Sequence, residues 1–389
     1  MSGLNYDIPW RLVMAKQKED ARAERLSKMC ALINNSAFGG ENKDAVTWLG
    51  SRDAVATERF SSGCLGLDEA LGGGWPRGRF IEVSGAESSG KTTLALHAIA
   101  EHQKAYPDED CGLVELEFAF DEGYAKQLGV NTKYLLVHQP DSGEQALNVL
   151  KLMLQNGVKF VVFDSVAALT TKAELEGDLG DVHVAEQARL MSQSLRQLAS
   201  EAGKRGATVL WTNQLREKIG VTWGDHTVTP AGRALKHYAS IRLLAQIIGK
   251  VKEGSGDDAI VVSSKIRATV KKNKCSAPFK VAEFCISFGH GIDVVAAVLD
   301  AAIEMKVVTK RGAWLAFGTE QLGCGRAAVL DSMRKDAELT KKISDATIAA
   351  KAAGVNPETP PDMELVKNVK DVDAVGAVEE EEGAEVTDA

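Results

Sequence analysis

The stretch GAESSGKTT, residues 85–93, combines small residues with hydroxyls and a single lysine. The spacing GxxxxGK[ST] is met by Gly85, Gly90, Lys91 and Thr92. In that spacing, backbone N–H groups and a helix N-terminus face an anion, the lysine reaches the β- and γ-phosphates, and the threonine hydroxyl binds Mg²⁺. An apolar run, FIEVS, precedes the stretch and a helix-like run follows it. The stretch therefore predicts a site for a nucleotide and a magnesium ion.

Further polar residues stand in or at the ends of other apolar runs. Asp164 lies at the carboxyl end of the strand-like run VKFVVFDS, where a carboxylate can hold Mg²⁺ through water or can cap the next helix. Glu115 and Glu117 are two residues apart in LVELEF, so on a strand they would point to one face. Either can activate water or pair with a lysine, and the spacing does not choose between them. Asn213 and Gln214 end ATVLWTNQ, where an amide can sense a γ-phosphate or close a turn.

Two loop segments carry the features of contacts to other molecules. LREKIGVTWGDHTVTPAGRALK, which follows Gln214, is long and punctuated by glycines, and it mixes basic and aromatic residues. Basic groups for phosphates together with stacking groups are typical of a nucleic-acid contact. The segment over residues 174–189 is acidic in its first half and leads into a helix with Arg189 and Arg196. By itself this segment, the first of the two in chain order, does not indicate DNA; the segment after Gln214 is the second.

The elements that must position these residues follow an alternating pattern. From about 51 to 292, apolar runs alternate with helix-length segments, which predicts an α/β core with a mostly parallel sheet covered on both faces. The later, closely spaced runs predict antiparallel strands that extend this sheet. The pattern over residues 1–50 predicts a helix-strand arm. Such an arm cannot form a hydrophobic core alone, so it must pack on another surface, such as another subunit. Residues 293–353 predict a small α/β domain.

The composition is that of a globular protein, and the charge is concentrated at one end. Hydrophobic residues make up 44% of the 389 positions, and no apolar run approaches the ~20 residues of a membrane span. Six scattered cysteines show no zinc spacing, so we expect a cytoplasmic protein with reduced thiols and no membrane partner. Eight of the 54 acidic residues and none of the 46 basic ones lie in 371–389. Residues 354–389 therefore predict an acidic, disordered tail.

Ten segments, taken in order, resemble the signature of the bacterial RecA recombinase family from about Ser62 to Asp336. They are GAESSGKTTLALHAIA, DEGYAKQLGV, QPDSGEQAL, VVFDSVAALTTKAELEGDLGD, ARLMSQSLRQLA, NQLREKIGV, ALKHYASIRL, VKEG, VKKNKCSAPFKVAEF and RGAWLAFG. The resemblance implies a RecA-type P-loop ATPase fold with a small C-terminal domain. It also implies a DNA-dependent ATPase that forms helical filaments of itself on single-stranded DNA and promotes pairing and strand exchange with double-stranded DNA.

The resemblance assigns roles to residues of the nucleotide site. Glu117 matches the carboxylate that activates water, and Gln214 matches the γ-phosphate sensor. Phe288 matches a residue that packs on the base from across an interface. The other implied ATP contacts are Glu87, Ser88, Ser89, Thr93, Asp121 and Tyr124, with Lys272 and Lys274 supplied by a neighbouring subunit. ATP and Mg²⁺ are thus the implied ligands, with Thr92 and Asp164 at the metal.

The two loop segments match the DNA-binding loops of the same family. The residues implied to contact DNA are Arg189, Ser192, Arg196, Arg216, Lys218, Ile219, Trp223, Gly232 and Arg233. The family's part in recombination, repair and the SOS response to DNA damage is implied too, with single-strand-binding and loader proteins as further partners. Departures from the family pattern, such as PAGR over 230–233 and His237 in place of an aromatic residue, suit a bacteriophage or distant bacterial homologue.

Two alternative functions use proteins with a similar fold. One is a non-catalytic filament or recombination mediator protein, which is disfavoured because every group for hydrolysis is present. These groups are Lys91, Thr92, Glu117, Asp164 and Gln214. The other is a hexameric helicase-type motor, which the lysine pair and the segment RGAWLAFG disfavour.

Overall fold

The computed structural model describes residues 9–38, 46, 48, 57–178, 184–217, 227–230, 232–253 and 259–353. The chain divides into two compact units, residues 1–57 and 58–389. In the first unit, helix α1 spans Pro9–Phe38, and near its end the buried Asn34 side chain pairs with the backbone of Val46 through two hydrogen bonds. Apart from Val46 and Trp48, the predicted strand over 45–50 lies outside the described residues, as does the predicted tail over 354–389.

The second unit alternates strands with helices. Its strands are β1 (Arg59–Phe60), β2 (Trp75–Pro76), β3 (Phe80–Gly85), β4 (Cys111–Glu115), β5 (Leu135–His138), β6 (Phe160–Asp164), β7 (Thr208–Gln214), β8 (Arg216–Glu217), β9 (Thr227–Val228), β10 (Ile241–Glu253), β11 (Ile260–Asn273), β12 (Val281–Ser287), β13 (Gly291–Ile292), β14 (Val308–Arg311), β15 (Trp314–Phe317) and β16 (Glu320–Cys324). Its helices are α2 (Leu65–Leu71), α3 (Lys91–Ala105), α4 (Glu122–Gln127), α5 (Gly143–Gln155), α6 (Lys172–Glu176), α7 (Val184–Arg205), α8 (Ala234–Tyr238), α9 (Val294–Glu304), α10 (Arg326–Lys335) and α11 (Ala337–Ala352).

Nine strands form the central sheet in the order β13-β12-β11-β10-β3-β7-β6-β4-β5. The six strands from β10 to β5 are parallel, and β10 to β13 pair antiparallel, as the sequence predicts. Strands β3, β4 and β6 are buried along their whole length, which explains their continuous apolar runs. Parallel strands end at the same edge of a sheet. At that edge, Gly85 pairs with Gln214, and Glu115 pairs with Asp164. The residues with predicted chemistry are therefore brought to a single edge of the sheet.

Two hydrophobic clusters hold helices on the two sides of this sheet. Helix α3 belongs to one cluster, and α5 and α7 belong to the other. Trp75 and Phe160 are fully buried in the first, and Trp211 and Phe163 are fully buried in the second. Burial of each such side chain contributes on the order of 1.5–3 kcal/mol before chain entropy is counted. The helix that follows the phosphate loop is thus fixed against the strands that end beside it.

The C-terminal part has its own small sheet and core. Strands β14, β15 and β16 form an antiparallel sheet, and α9, α10 and α11 pack with it around Leu299, Leu315, Val329 and Ile343. This arrangement matches the small α/β region predicted from the sequence. Among the described residues, no helix is long and apolar enough to cross a membrane.

Candidate nucleotide and DNA site

The phosphate loop joins β3 to α3, and two of its positions require glycine. A Cβ at Gly85 would lie 2.3 Å from Ser89 Oγ. Gly90 has a φ of 83°, and a Cβ there would lie 2.4 Å from Ile286 Cδ1. Helix α3 begins directly afterwards at Lys91, so its first N–H groups have no partner within the helix. Such a helix N-terminus can bind phosphate oxygens.

Lys91 lies across this loop. Its Nζ donates a hydrogen bond to the carbonyl oxygen of Ala86 at 2.7 Å. Burial lowers the pKa of Lys91, and the negative charges of Asp164, Glu117 and Glu87 oppose this shift. A partly desolvated ammonium at this point can neutralise phosphate charge through charge-assisted hydrogen bonds.

Thr92 and Asp164 form the candidate magnesium site. Thr92 Oγ1 donates to Asp164 Oδ2 at 2.7 Å, and the Thr212 hydroxyl donates to Asp164 Oδ1. Burial raises the pKa of Asp164, and the charges of Glu117 and Glu115 add to the rise, whereas the two hydroxyl bonds lower it. The position that caps the following turn is Ser165 rather than Asp164, so Asp164 is not a helix cap. Hydroxyl and carboxylate oxygens are ligands that Mg²⁺ prefers, so these residues fit the ion.

Thr212 was not found by sequence reasoning. It is fully buried on β7, and it precedes Gln214 by two residues on the same face of the strand. The available signal was a hydroxyl residue that directly follows the apolar run VLW in this strand. Its contact with Asp164 joins the metal carboxylate to the strand that ends in the predicted sensor.

The two glutamates of the run LVELEF have different environments. The prediction that both lie on one strand is wrong, because β4 ends at Glu115 and Glu117 lies in the following loop. Glu115 is buried, and its Oε1 accepts the backbone N–H groups of Glu117 and Ala119, which turns the chain away from the sheet. Glu117 is exposed, and its Oε1 accepts a 2.6 Å hydrogen bond from Ser165 Oγ. Gln214 Nε2 lies 3.5 Å from the same oxygen.

The neighbouring amides Asn213 and Gln214 also lie in different environments. Asn213 is buried, and its Nδ2 donates to Glu82 Oε1 at 3.2 Å. Glu82 also accepts from Arg242 Nε at 2.5 Å, so Asn213 belongs to a buried polar group between β3, β7 and β10. Only Gln214 lines the cavity above the phosphate loop.

Tyr124 and Phe288 supply aromatic rings to this cavity. The Tyr124 hydroxyl is hydrogen-bonded to Thr93 Oγ1 at 2.9 Å, which fixes the ring beside the start of α3. Asp121 caps α4 by accepting the backbone N–H of Tyr124 at 3.1 Å. The expectation that Phe288 acts from across an interface needs correction, because the turn after β12 places this residue on the cavity wall of its own chain.

These groups surround a cavity of about 330 Å³ at the edge of the sheet. The predicted residues that line it are Glu87, Ser88, Gly90, Lys91, Thr92, Thr93, Glu117, Tyr124, Gln214 and Phe288. Ser89 is buried within the loop, and its Oγ has no hydrogen-bond partner among the described residues. One cation, several hydroxyls, an amide and two rings suit a ligand with both a base and phosphates.

Lys272 and Lys274 lie elsewhere, at the end of β11. Neither is among the described residues that line the cavity of their own chain. Lys272 Nζ donates to the carbonyl oxygens of Lys236 at 2.7 Å and His237 at 3.2 Å, on helix α8. Burial lowers the pKa of Lys272, and the nearby charges of Lys274 and Arg242 lower it further. Lys272 is thus attached to the helix that follows the second predicted DNA loop.

The described DNA-contact candidates lie at the surface on three elements. Exposed positions on α7, on β8 and before α8 are Arg189, Ser192, Arg196, Arg216, Gly232 and Arg233. A Cβ at Gly232 would lie 3.1 Å from Ala188 Cβ, so the end of the second loop packs against the helix that follows the first. The structure thereby brings the two loop segments together. Lys218, Ile219 and Trp223 lie outside the described residues.

Comparisons with known proteins agree with this geometry. Two family models match the chain, the RecA N-terminal domain over residues 26–293 and the RecA C-terminal domain over residues 296–352. The chain is 45% identical to Protein RecA of Corynebacterium glutamicum over 359 residues, which cover 90% of this chain and 93% of the relative. It is 47% identical to Protein RecA of Rhodospirillum centenum, over 81% of this chain and 86% of the relative. It is also 48% identical to the chloroplastic DNA repair protein recA homolog 1 of Arabidopsis thaliana, over 79% of this chain and 69% of the relative.

Proposed function

Because this chain belongs to the RecA family, it is a DNA-dependent ATPase of recombination and DNA repair, and we propose that ATP with Mg²⁺ drives its assembly on single-stranded DNA. The resulting filament pairs the bound strand with homologous double-stranded DNA and exchanges strands, and hydrolysis releases the DNA. The observation that carries this proposal is the carboxylate of Glu117, which faces the cavity between Ser165 and Gln214. A protein that only binds nucleotide has no need of a carboxylate held beside the phosphates.

Residues in and beside the cavity have different roles in hydrolysis. The loop N–H groups and Lys91 bind and neutralise the phosphates, and Tyr124 and Phe288 hold the base, with Asp121 fixing the backbone beside Tyr124. Thr92 and Asp164 would hold Mg²⁺, which would supply positive charge to the transferring phosphoryl group. Glu117 accepts the proton of the attacking water, and the hydroxyl of Ser165 keeps its carboxylate oriented.

Gln214 provides a short route from nucleotide to DNA. It lines the cavity, and Arg216 begins the second DNA loop only two residues later. A hydrogen bond from Gln214 to a γ-phosphate would therefore shift the start of this loop directly. The exposed basic groups on α7 and the second loop contact the DNA backbone, which explains why binding need not depend on sequence.

Neighbouring subunits complete each site in this proposal. Lys274, which is not among the described residues that line the cavity of its own chain, reaches the phosphates bound by the next subunit. Residues 1–50 form the arm that joins subunits, 51–292 form the ATPase core and 293–353 form the small C-terminal domain. An arm that packs on another copy would give a head-to-tail interface, which generates a helix when the rotation does not close.

Electron microscopy of the protein with ATP, Mg²⁺ and single-stranded DNA tests this function. We expect helical filaments whose length depends on ATP, because the interface contains the nucleotide. Closed rings would instead support a hexameric motor. Filaments that form without measurable ATP hydrolysis would support a non-catalytic filament protein.

Replacing Thr212 by valine tests the metal site. The change preserves the shape of the side chain and removes the hydroxyl that orients Asp164, so the Mg²⁺ concentration for half-maximal ATPase should rise by about tenfold. Thr347→Val is the matched control, because Thr347 is equally buried but bonds within α11. Identical Mg²⁺ titrations for the Thr212→Val protein and the unchanged chain would contradict the role of Thr212.

A further inference from the structure

Glu115 is the last residue of β4, and both of its carboxylate oxygens are engaged. The side chain is buried, with 5% of its surface exposed. Its Oε1 accepts the backbone N–H of Glu117 at 2.9 Å and that of Ala119 at 3.1 Å. Its Oε2 accepts from Gln139 Nε2 at 2.8 Å. One carboxylate thus connects the end of its own strand, the following loop and the residue after β5.

The loop that these bonds hold is the one that carries Glu117. On its sheet side, the N–H of Leu116 donates to the carbonyl oxygen of Asp164 at 2.7 Å. Phe118 has a φ of 53° and is 63% exposed, so it adopts a left-handed conformation without being packed into the core. A bulky residue keeps such a conformation only where its surroundings hold it. The two N–H groups on either side of Phe118 are those that Glu115 accepts.

We propose that Glu115 is a positioning residue that shapes the loop around Phe118 and so places the Glu117 carboxylate beside the attacking water. This proposal rests on the function of Glu117 given above. Glu115 sets the backbone of Glu117, and Ser165 then fixes its side chain at 2.6 Å. Without Glu115, the two N–H groups lose their acceptor and Phe118 loses the contacts that hold its backbone.

A direct role for Glu115 in taking the proton is a weaker explanation of the same geometry. Its oxygens already accept three hydrogen bonds, and the side chain is buried, whereas Glu117 is exposed to the cavity. A carboxylate whose oxygens are already engaged in this way holds the loop backbone and is poorly placed to reach a water in the cavity.

Three variants separate these roles: Glu115→Ala, Glu115→Gln and Glu117→Gln. Glutamine at 115 keeps an oxygen for both N–H groups, and its amide can pair with Gln139 when the Gln139 amide turns over. We expect Glu115→Ala to lose on the order of 10²-fold in DNA-stimulated kcat, because the carboxylate of Glu117 is displaced. Glu115→Gln should show less than about a tenth of that loss. The dissociation constant for ATP should remain within about twofold in both, because neither change touches the phosphate loop.

The measurements are single-turnover ATPase rates, equilibrium binding of a fluorescent ATP analogue and thermal unfolding. Glu122→Ala, which removes an exposed glutamate at the start of α4, is the matched control. If Glu115→Ala does not fold, Gln139→Leu removes only the contact to Oε2 and should lower kcat in the same direction by a smaller factor.

The possible results point to different conclusions. A Glu115→Gln protein as inactive as Glu117→Gln would make Glu115 a proton acceptor and overturn the proposal. So would an unchanged kcat in Glu115→Ala, or a loss of ATP binding in parallel with the loss of rate. Normal turnover in Glu117→Gln would instead refute the assigned role of Glu117, whatever the Glu115 variants show.

Discussion

The Glu117→Gln protein is expected to bind ATP as the unchanged chain does and to hydrolyse it about 10²- to 10⁴-fold more slowly. Glutamine keeps the size of the side chain and can still accept the hydrogen bond from Ser165, but it cannot take a proton from water. The phosphate loop, Lys91 and Thr92 are unaffected by the change, so the ground-state contacts to ATP remain. Stopped-flow binding and single-turnover hydrolysis with saturating single-stranded DNA measure the two quantities separately.

A second carboxylate of the same cavity provides the control for Glu117. Glu87 lies in the phosphate loop and lines the cavity, but it makes no contact with Ser165 or Gln214. Glu87→Gln should therefore change turnover far less than Glu117→Gln. Because filaments need ATP and hydrolysis releases DNA, the Glu117→Gln protein should also stay on DNA longer after ATP is diluted. Fast release from DNA by a protein that does not hydrolyse ATP would separate release from hydrolysis.

The central sheet was predictable because most of its strands are buried on one or both faces over at least part of their length. Each of its eight longer strands is a nearly continuous apolar or alternating run, from Phe80–Gly85 to Val281–Ser287, bounded by turn residues. Periodicity and length are sufficient to recognise such runs. The ninth strand, Gly291–Ile292, has only two residues and carries no periodic pattern. It exists because the turn after β12 folds the chain back onto that strand as a short antiparallel hairpin.

The separation of Glu115 from Glu117 could not be predicted from periodicity. The alternating pattern assumes that a strand continues, and here a side chain accepts backbone N–H groups from the residues that follow it. Side-chain to backbone bonds of this kind compete with the regular ladder and leave little trace in composition. Thr212 is a similar case, because its partner Asp164 is on another strand. The phosphate loop was predictable because its spacing is local.

The lysine pair illustrates a contact that depends on distant chain segments. Lys272 bonds to carbonyl oxygens on α8, more than thirty residues away in sequence, and this contact ties β11 to the helix after the second DNA loop. Nothing in KKNK specifies that partner. The same contact makes Lys272 a poor choice for mutation, since its loss would also disturb α8. Lys274 has no such side-chain bond among the described contacts and is the better probe of a shared site.

Mixing two inactive proteins, Glu117→Ala and Lys274→Ala, is expected to restore part of the ATPase activity. Each variant alone should be nearly inactive, because every site lacks either its own glutamate or the lysine of a neighbour. In a mixed filament, one type of interface joins an intact Glu117 from one subunit to an intact Lys274 from the next. Random mixing of equal amounts makes this type about a quarter of all head-to-tail interfaces. The restored ATPase rate should therefore not exceed about a quarter of the rate of the unchanged chain. Titrating one variant into the other measures this maximum.

The control mixture combines Glu117→Ala with Lys91→Ala. Both residues line the cavity of one chain, so no interface in that mixture has a complete site and no activity should return. A solvated basic strand end at KKNK, with no role in a neighbour, predicts the same absence of rescue for the Lys274→Ala mixture. Subunits carrying two fluorescent labels show whether both variants enter one filament. Mixed filaments whose ATPase rate stays at the level of the separate variants would rule out a lysine that acts on the neighbouring site.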